Sequence, residues 1–279
     1  MICRRHIRLF PHIPSQYRTM KVVPVPVRED NYAYLLIDEP SNTAAAVDPY
    51  DVAKVSAAAQ AHGVQIVAGL TTHHHFDHSG GNKDFAARYP GVPIYGGSEK
   101  VQALTNPVED KSEINLGNIH IKCLASPCHT QDSICYYVTD LIEKTQPGGV
   151  FTGDTLFIAG CGRFFEGVGS EMIDALTYIG SLPDETIVYN GHEYTAGNVA
   201  FAKHIDPTNA AIARLADIAK KNKITTGLTT IGDEKEWNVF MRLDSEAVLK
   251  AASATTDTPK SAIMDALREQ KNNYKGPML

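Results

Sequence analysis

The feature that most constrains this chain is a cluster of ligand-type side chains directly after an apolar run. Residues 71–78, TTHHHFDH, contain four histidines and one aspartate, and they follow VQIVAGL at 64–70. Such a run is typical of a buried strand, so we expect the cluster at a strand end, where mixed α/β proteins place active sites. The alternative is a surface loop that binds metal adventitiously, and the rest of the chain decides between the two.

Length and composition indicate an ordinary globular protein. The chain has 279 residues, of which 43% are hydrophobic and 21% charged, and its formal net charge is -6. The acidic balance argues against a nucleic-acid partner, and no apolar run reaches the roughly 18 residues of a membrane span. The five cysteines are odd in number and form no C-x-x-C pair, which favours reduced thiols. We expect a monomer without a nucleic-acid or membrane partner.

The first 19 residues differ from the rest of the chain. They contain four arginines, and the first acidic residue of the sequence is Glu29. An Arg-rich, acid-poor and partly apolar segment is typical of a mitochondrial transit peptide. Residues 1–19 are therefore interpreted as a targeting extension, with a disordered tail or an alternative start at Met20 as the other interpretations. The expected location is mitochondrial, cytoplasmic or both.

From Lys21 onward, short strands alternate with helices. KVVPVPV and YAYLLID predict an antiparallel strand pair around a turn at 28–31, and an Ala-rich helix is predicted at 51–62. Further strands are predicted at 119–125, 134–138, 148–152 and 186–190, and helices near 80–89 and 170–181. After Tyr194 helical patterns dominate, at 196–205, 208–222, 245–251 and 259–272, around a looser stretch at 223–242. We predict a mostly β first domain at 20–192 and a smaller helical domain at 193–279.

The cluster by itself supplies at most four ligands. In an extended segment alternate side chains share one face, so His73, His75 and Asp77 are expected to point the same way. His78 is expected to turn in as the chain bends, whereas His74 points away and is excluded. The Ser-Gly-Gly that follows fits a helix start close to the site, since glycine lets the backbone approach.

Three later strand ends each supply one more candidate ligand. His129 follows IHIKCLASPC, Asp154 follows GGVFTG, and His192 follows TIVYNG. Each has an ordinary interpretation by itself, as a surface histidine or a turn aspartate, but with the cluster they make seven nitrogen and oxygen ligands. Seven are too many for one tetrahedral zinc and suit two metals about 3.5–4 Å apart that share a carboxylate. His120 and His204 are interpreted as non-ligands.

The segment THHHFDH resembles the T-H-x-H-x-D-H signature of the metallo-β-lactamase superfamily. CHT, FTGDTLFIAGCGRFFEG and GHEY narrow the resemblance to the glyoxalase II (hydroxyacylglutathione hydrolase) family over residues 20–279. The resemblance implies an α+β fold, in which an αββα sandwich precedes a helical glutathione-binding domain. It also implies two divalent metal ions, zinc or alternatively iron or manganese, one held by His73, His75 and His129, the other by Asp77, His78 and His192, with Asp154 bridging.

The resemblance further implies a thioester hydrolase. The substrate would be S-D-lactoylglutathione, converted to glutathione and D-lactate in the second step of methylglyoxal detoxification. A metal-bridging hydroxide would attack the thioester carbonyl, with Asp154, Asp77 and His78 as catalytic residues. No G-x-S-x-G, Walker A or G-x-G-x-x-G motif offers a competing chemistry. The cysteines of PCH and GCG are interpreted as buried thiols, and Asp48 as a turn residue or an orienter of a ligand histidine.

Glutathione carries two carboxylates, so its pocket needs fixed cations and hydrogen-bond donors. The resemblance places Arg163, Phe165 and Tyr194 in substrate-contacting segments. LREQKNNYK resembles the family's basic motif, which places Arg268 and Lys271 on the glutathione, with a solvated helix face as the alternative for this pair. There are two departures: Phe165 stands where many members have tyrosine, and the valine of NVFMR replaces a usual proline.

Two other functions fit part of the pattern. A persulfide dioxygenase of the same fold would use one iron and oxygen, but it would leave His78 and His192 without a metal and lacks a helical domain of this kind. A non-catalytic zinc-stabilised binding module would need a closed four-ligand cage, often rich in thiolates, which seven nitrogen and oxygen ligands do not resemble. Metal content per chain and thioesterase turnover separate the three.

Overall fold

The computed structural model describes residues 19–276, so residues 1–18, nearly all of the expected targeting extension, lie outside it. The strands are β1 (Met20–Pro26), β2 (Tyr32–Asp38), β3 (Thr43–Val47), β4 (Gln65–Leu70), β5 (Ile94–Gly96), β6 (Asn106–Pro107), β7 (Glu113–Leu116), β8 (Ile119–Ala125), β9 (Ile134–Asp140), β10 (Gly149–Gly153), β11 (Leu156–Phe157), β12 (Gly160–Cys161) and β13 (Ile187–Asn190). The α-helices are α1 (Val52–His62), α2 (Phe76–Ser79), α3 (Asn82–Arg88), α4 (Gly169–Gly180), α5 (Thr195–Ile205), α6 (Ala210–Lys221), α7 (Ile231–Trp237), α8 (Glu246–Ala251) and α9 (Lys260–Asn273). None of the helices in the described range is long and apolar enough to span a membrane.

The strands form two sheets and a hairpin. The first sheet has the order β1-β2-β3-β4-β5-β6, antiparallel from β1 to β3 and parallel from β3 onward. The second has the order β13-β10-β9-β8-β7 and is antiparallel except for the β10–β13 pair. Strands β11 and β12 pair only with each other.

Strand β2 shows why the first sheet is buried on both faces. Leu36 lies in the core between the two sheets together with Tyr136 of β9. Its neighbour Leu35 points the other way and packs with Val55 of α1 and Phe85 of α3. Because successive side chains of a strand alternate between faces, a strand covered on both sides has to be apolar at every position. The run YAYLLI in β2 meets this requirement.

A third core joins the second sheet to the carboxyl-terminal helices. It contains Val150 of β10, Leu176 of α4, Phe201 of α5, Trp237 of α7 and Leu267 of α9. The order of layers is therefore helix, sheet, sheet and helix, which confirms the predicted αββα fold and its helical carboxyl-terminal region. Because this single core has members on both sides of the predicted domain boundary, the division into two domains stays a prediction.

Most elements agree with the sequence analysis, and the exceptions are short. Helix α7 lies inside the stretch that was expected to be looser, and helix α2 and strands β5, β6, β7, β11 and β12 were not predicted. A local signal for α7 was present: the side chain of Thr230 accepts from the backbone N–H of Asp233, and the Asp233 carboxylate accepts from that of Thr230. A capping box of this kind is a sequence signal that predicts the start of a helix.

Candidate metal centre

The loops after β4, β8, β10 and β13 bring the predicted ligands together. His129 follows β8, Asp154 follows β10, and His192 follows β13, while the histidine cluster follows β4. Close packing of the backbone makes this possible, because Gly153 has a φ of 47° and a Cβ there would lie 2.6 Å from the Thr72 hydroxyl oxygen. The positive φ favours glycine, and the lack of a side chain lets two ligand loops touch.

A helical turn, not an extended segment, carries the second half of the cluster. Helix α2 spans Phe76–Ser79, and His75 is its N-cap. Asp77 and His78 therefore enter the site from consecutive positions of one turn. The expectation that strand-like alternation places Asp77 beside His75 was wrong, because the chain turns into a helix at once after His75. The residues still converge, since the turn folds back over the end of β4.

Three histidine nitrogens converge in the first group of ligands. Nε2 of His73 and Nε2 of His129 lie 3.1 and 3.0 Å from Nδ1 of His75. The rings of His73 and His129 are 1% and 4% exposed. Burial lowers the pKa of all three histidines, so the rings are neutral. Nδ1 of His73 lies beside the Thr72 hydroxyl and Nδ1 of His129 beside the carbonyl oxygen of Arg163, which leaves the lone pair of each ring on Nε2. Converging lone pairs repel unless a cation lies between them, so this group fits a metal ion.

Asp77, His78 and His192 form the second group of ligands. Nε2 of His78 lies 3.3 Å from Nε2 of His192, and Oδ2 of Asp77 lies 3.8 and 3.4 Å from these two nitrogens. Burial by itself lowers the pKa of both histidines, but the carboxylate of Asp154 acts together with that of Asp48 on His78 and with that of Asp30 on His192. Together these carboxylates outweigh burial and hold both pKa values above the ordinary one. The carboxylates therefore make this group a place that favours positive charge.

Asp154 lies between the two groups. Its Oδ1 is 3.3 Å from Nε2 of His78, and its Oδ2 is 3.5 Å from Nε2 of His129 and 3.4 Å from Nε2 of His192. Burial raises its pKa, yet His192 and His78 hold that pKa well below the usual value, so the carboxylate is ionised. Its Oδ1 is buried and accepts no well-formed hydrogen bond from any described residue. An ionised, buried oxygen of this kind fits a divalent metal ligand.

Neighbouring acceptors orient the ligand histidines. Oδ2 of Asp48 lies 2.9 Å from Nδ1 of His78, so Asp48 is an orienter of a ligand and not only a turn residue. Oδ1 of Asp30 lies 2.9 Å from Nδ1 of His192. Such contacts fix the tautomer and make the other ring nitrogen a better donor to a metal. Asp30 was not anticipated, because its only local signal was the turn between the first two strands.

A cavity of about 680 Å³ opens beside both groups of ligands. It is lined by ligands of both groups, namely His75, Asp77, His129, Asp154 and His192. The five predicted substrate-binding residues line it as well: Arg163, Phe165, Tyr194, Arg268 and Lys271. The fold therefore brings the candidate ligands and the predicted substrate-binding residues, which are distant in the sequence, to one cavity.

Two aromatic rings form walls of this cavity. Phe165, 60% exposed, places its ring edge-on to His75 and His129, with centroids 5.6 and 5.3 Å apart. Tyr194 stacks on the ring of His192 at a centroid distance of 4.7 Å and an angle of 10°. Both rings shield ligand histidines from solvent on the cavity side. Because Phe165 has no hydroxyl, its wall offers apolar contact only.

Helix α9 contributes two cationic side chains, Arg268 and Lys271, which differ in their hydrogen bonds. Arg268 is 8% exposed, and its Nη1 donates to the carbonyl oxygen of Cys161 at 2.8 Å while its Nε donates to Asn272 at 3.0 Å. Nζ of Lys271 donates to the carbonyl oxygen of Gly197 at 2.8 Å. Burial lowers the pKa of Lys271 to about 8. Neither side chain lies on a solvated helix face, and Lys271 retains donors for a ligand.

The cysteines near the site are buried thiols. The described cysteines are all free; Cys128 directly precedes His129, and Cys161 lines the cavity. Burial raises the pKa of Cys128 to about 12 and that of Cys161 to about 11. A thiol is a nucleophile only as a thiolate, so neither residue serves as one near neutral pH.

His74 belongs to a separate ion-pair network. Its Nδ1 lies 2.7 Å from Oδ1 of Asp132, and its Nε2 lies 3.9 Å from Oε1 of Glu166. Lys100 donates to the same Glu166 oxygen at 2.9 Å. The two carboxylates face opposite nitrogens of one ring, and Lys100 already compensates one of them, so this group is no metal site. His74 points away from the metal centre, as expected.

Two family models and several curated proteins match this chain. Residues 43–192 match the model of the metallo-beta-lactamase superfamily, and residues 193–274 match that of the hydroxyacylglutathione hydrolase C-terminus. The chain is 42% identical over 263 residues to a probable hydroxyacylglutathione hydrolase of Schizosaccharomyces pombe, covering 91% of this chain and 99% of that protein. It is 42% identical over 265 residues to the cytoplasmic hydroxyacylglutathione hydrolase of Arabidopsis thaliana, covering 92% and 100%.

Solved structures share the fold at lower identity. A metallo-beta-lactamase of Staphylococcus aureus gives a TM-score of 0.63 at 23% identity, covering 90% of this chain and 71% of that one. ETHE1 from Myxococcus xanthus gives 0.61 at 23% identity, covering 91% and 97%. The likeness to these two concerns the fold alone. The curated relatives and the two family models show that the chain belongs to the hydroxyacylglutathione hydrolase (glyoxalase II) family of the metallo-β-lactamase superfamily.

Proposed function

We propose that this enzyme hydrolyses S-(2-hydroxyacyl)glutathione thioesters. The substrate is S-D-lactoylglutathione, and the products are glutathione and D-lactate, as in the second step of methylglyoxal detoxification. The observation that carries this proposal is a cavity lined both by members of the two groups of ligands and by Lys271 of helix α9. The relatives in Schizosaccharomyces pombe and Arabidopsis thaliana, which are named as hydroxyacylglutathione hydrolases, support it over nearly their whole length.

We propose two divalent ions per chain, with zinc as the first choice. One group of ligands would hold each ion, and Asp154 would contact both; the residues are His73, His75 and His129, then Asp77, His78 and His192. When bound, such ions polarise the carbonyl of an ester or thioester and lower the pKa of a water molecule. Imidazole and carboxylate ligands accept iron and manganese as well as zinc.

Residues of the helical region and of the loop after β12 bind and orient the substrate in this proposal. Lys271 has donors left for a carboxylate of glutathione, and Arg163 lies exposed at the cavity. Arg268 lines the cavity as a further cation for the glutathione, and its guanidinium also donates to the carbonyl oxygen of Cys161 in the β11–β12 hairpin. The rings of Phe165 and Tyr194 close the cavity around the scissile bond. These contacts place a thioester carbonyl beside the ligand groups.

No protein side chain is assigned as the attacking group. The thiols of Cys128 and Cys161 are protonated near neutral pH, because burial raises their pKa values to about 12 and about 11. The carboxylates of Asp154 and Asp77 lie next to the ligand histidines and help to hold those histidines in position. The nucleophile is therefore solvent. The leaving glutathione thiolate, whose thiol has a pKa of about 8.5, needs little help from a general acid.

The decisive experiment is a hydrolysis assay on S-D-lactoylglutathione with metal analysis of the same sample. We expect turnover together with two divalent ions per chain. A single iron, with oxygen consumption on a glutathione persulfide and no thioesterase activity, would support the dioxygenase instead. Tightly bound zinc without any turnover would support a binding module.

We also propose where and in what state the enzyme acts. The arginine-rich residues 1–19 would direct the full chain to mitochondria, and translation from Met20 would leave a cytoplasmic form. The enzyme would work as a monomer, because every predicted ligand and substrate-binding residue comes from one chain. Light scattering of the purified protein tests the oligomeric state.

A further inference from the structure

The turn between β1 and β2 reaches the second group of ligands but not the first. Oδ1 of Asp30 accepts from Nδ1 of His192 at 2.9 Å. Nδ2 of Asn31 donates to Oδ2 of Asp77 at 2.9 Å and lies 3.3 Å from Nε2 of His192. Two adjacent residues of one turn thus contact two of the three ligands in this group. Apart from the contact by which Asp30 orients His192, neither residue has a role in the proposed function.

The backbone fixes this turn in place. The carbonyl oxygen of Asp30 accepts from the backbone N–H of Glu193 at 2.8 Å, and the backbone N–H of Tyr32 donates to Gly191 at 2.9 Å. Asn31 and His192 form an isolated β-bridge. The turn is therefore held against the loop that carries His192, and its two side chains stand at set positions. Asn31 is also almost wholly buried.

Different residues orient the first group. Nδ1 of His73 lies 3.1 Å from the hydroxyl of Thr72, and Nδ1 of His129 lies 2.9 Å from the carbonyl oxygen of Arg163. Among residues 19–276, neither Asp30 nor Asn31 forms a hydrogen bond or an ion pair with these histidines. A neutral hydroxyl and a carbonyl orient the first group, whereas charged carboxylates orient the histidines of the second. The two groups can thus be perturbed separately.

Hydrogen bonds made to metal ligands by residues that do not bind the metal themselves raise the affinity for the metal. A histidine that donates Nδ1–H to a carboxylate keeps Nε2 free as a stronger metal donor. A carboxylate that accepts a hydrogen bond on one lone pair is held in one rotamer and can direct its other lone pairs to a cation. Asp30 supplies the first effect to His192, and Asn31 supplies the second to Asp77.

We infer that Asp30 and Asn31 are positioning residues that set the affinity of the second group, Asp77, His78 and His192, separately from that of the first. This inference rests on the two-ion site of the proposed function. Loss of either contact should weaken one of two bound ions by about 10- to 100-fold and leave the other unchanged. Activity would then fall in proportion to the occupancy of the weaker ion.

The test measures zinc binding to the whole protein over graded, chelator-buffered free zinc. Asp30→Ala and Asn31→Ala should each show one ion bound as in the wild type and a second bound about 10- to 100-fold more weakly. Asp30→Asn, which keeps an acceptor without its charge, should lie between Asp30→Ala and the wild type. Glu29→Ala, in the same turn and exposed, is the matched control and should bind both ions normally.

Two outcomes would overturn the inference. Both ions bound with wild-type affinity in Asp30→Ala and Asn31→Ala would show that the contacts do not set affinity. Equal weakening of both ions would show a general loss of structure, which thermal unfolding also reports. Asp30, whose side chain is 43% exposed, leaves a foldable variant if Asn31→Ala fails to fold. A wild-type protein that binds fewer than two ions overturns the two-ion proposal itself, which the same titration distinguishes.

Discussion

The buried carboxylate of Glu234 accepts a hydrogen bond of 2.9 Å from the backbone N–H of Ala159. Glu234 lies on α7 of the helical region, and Ala159 lies at the tip of the β11–β12 hairpin, between Asp154 and Arg163 in the chain. Trp237 and Asn238 donate to the same carboxylate at 2.9 and 3.0 Å. The helical region thus holds a segment whose two ends carry a candidate ligand and a candidate substrate contact.

This contact predicts a pH-dependent stability. Burial raises the pKa of Glu234 from 4.5 to about 8. Between these values the unfolded chain releases the proton before the folded one, so Glu234 lowers stability as pH rises from about 4.5 to 8. The free energy of unfolding can be measured with urea at pH 5.5 and at pH 8.5. Between these two pH values, that of the wild type should fall by roughly 2–4 kcal/mol more than that of Glu234→Gln. An equal change in both proteins would contradict the prediction.

Asp154→Ala should reduce metal content and turnover together. Asp154 lies within 3.3–3.5 Å of histidines of both groups, so its removal takes one ligand from each. Metal analysis should find fewer than two ions per chain in the sample that has lost most thioesterase activity. His74→Ala, which changes a neighbouring histidine of the ion-pair network, is the control and should keep its metal. A fully loaded and active Asp154→Ala would rule out the bridging role.

Lys271→Ala should weaken substrate binding without affecting the chemistry. The contact is a charge-assisted hydrogen bond remote from the scissile bond, and its loss costs roughly 1.5–3 kcal/mol, or about one to two decades in KM. Contacts made equally in the ground and transition states leave kcat nearly unchanged. Steady-state kinetics should show this split, with Lys260→Ala on the same helix as the matched control. If hydrolysis of a small thioester without glutathione suffers equally, Lys271 does not bind glutathione.

The lowered pKa of Lys271 predicts how binding changes with pH. Burial brings this pKa to about 8, so the free enzyme loses the positive charge as pH rises through that value. Because only the charged form attracts a carboxylate, kcat/KM for the glutathione thioester should fall above about pH 8. Lys271→Arg stays charged throughout and should not show this fall. A decline of the same size in both proteins would assign it to another group.

The targeting interpretation is tested with a fusion of residues 1–30 to a fluorescent protein. We expect the fusion to enter mitochondria, because residues 1–19 carry four arginines and the first acidic residue of the chain is Glu29. A diffuse cytosolic signal would count against import. Deletion of residues 1–19 should leave catalysis intact, since every candidate ligand and substrate-binding residue lies after them.

Local patterns in the sequence determined the fold class and the candidate ligands. An apolar run before His73, and strand-like runs before His129, Asp154 and His192, imply ligand loops at strand ends. A strand has a nearly fixed rise per residue and alternating faces, so its length and burial can be read from neighbouring residues. The motifs around these positions are short and contiguous, so the resemblance to the family could also be recognised from neighbouring residues.

Tertiary structure alone decided how these parts meet. Asp30 and His192 are 162 positions apart, yet their side chains touch, and Arg268 lies buried beneath the carbonyl oxygen of Cys161 instead of on a solvated face. Strand β6 has two residues and exists only through its pairing with β5. A buried strand or helix produces a periodic pattern of apolar residues along its own sequence. A contact between distant segments produces no such pattern in either segment, because it depends on the packing of the whole core.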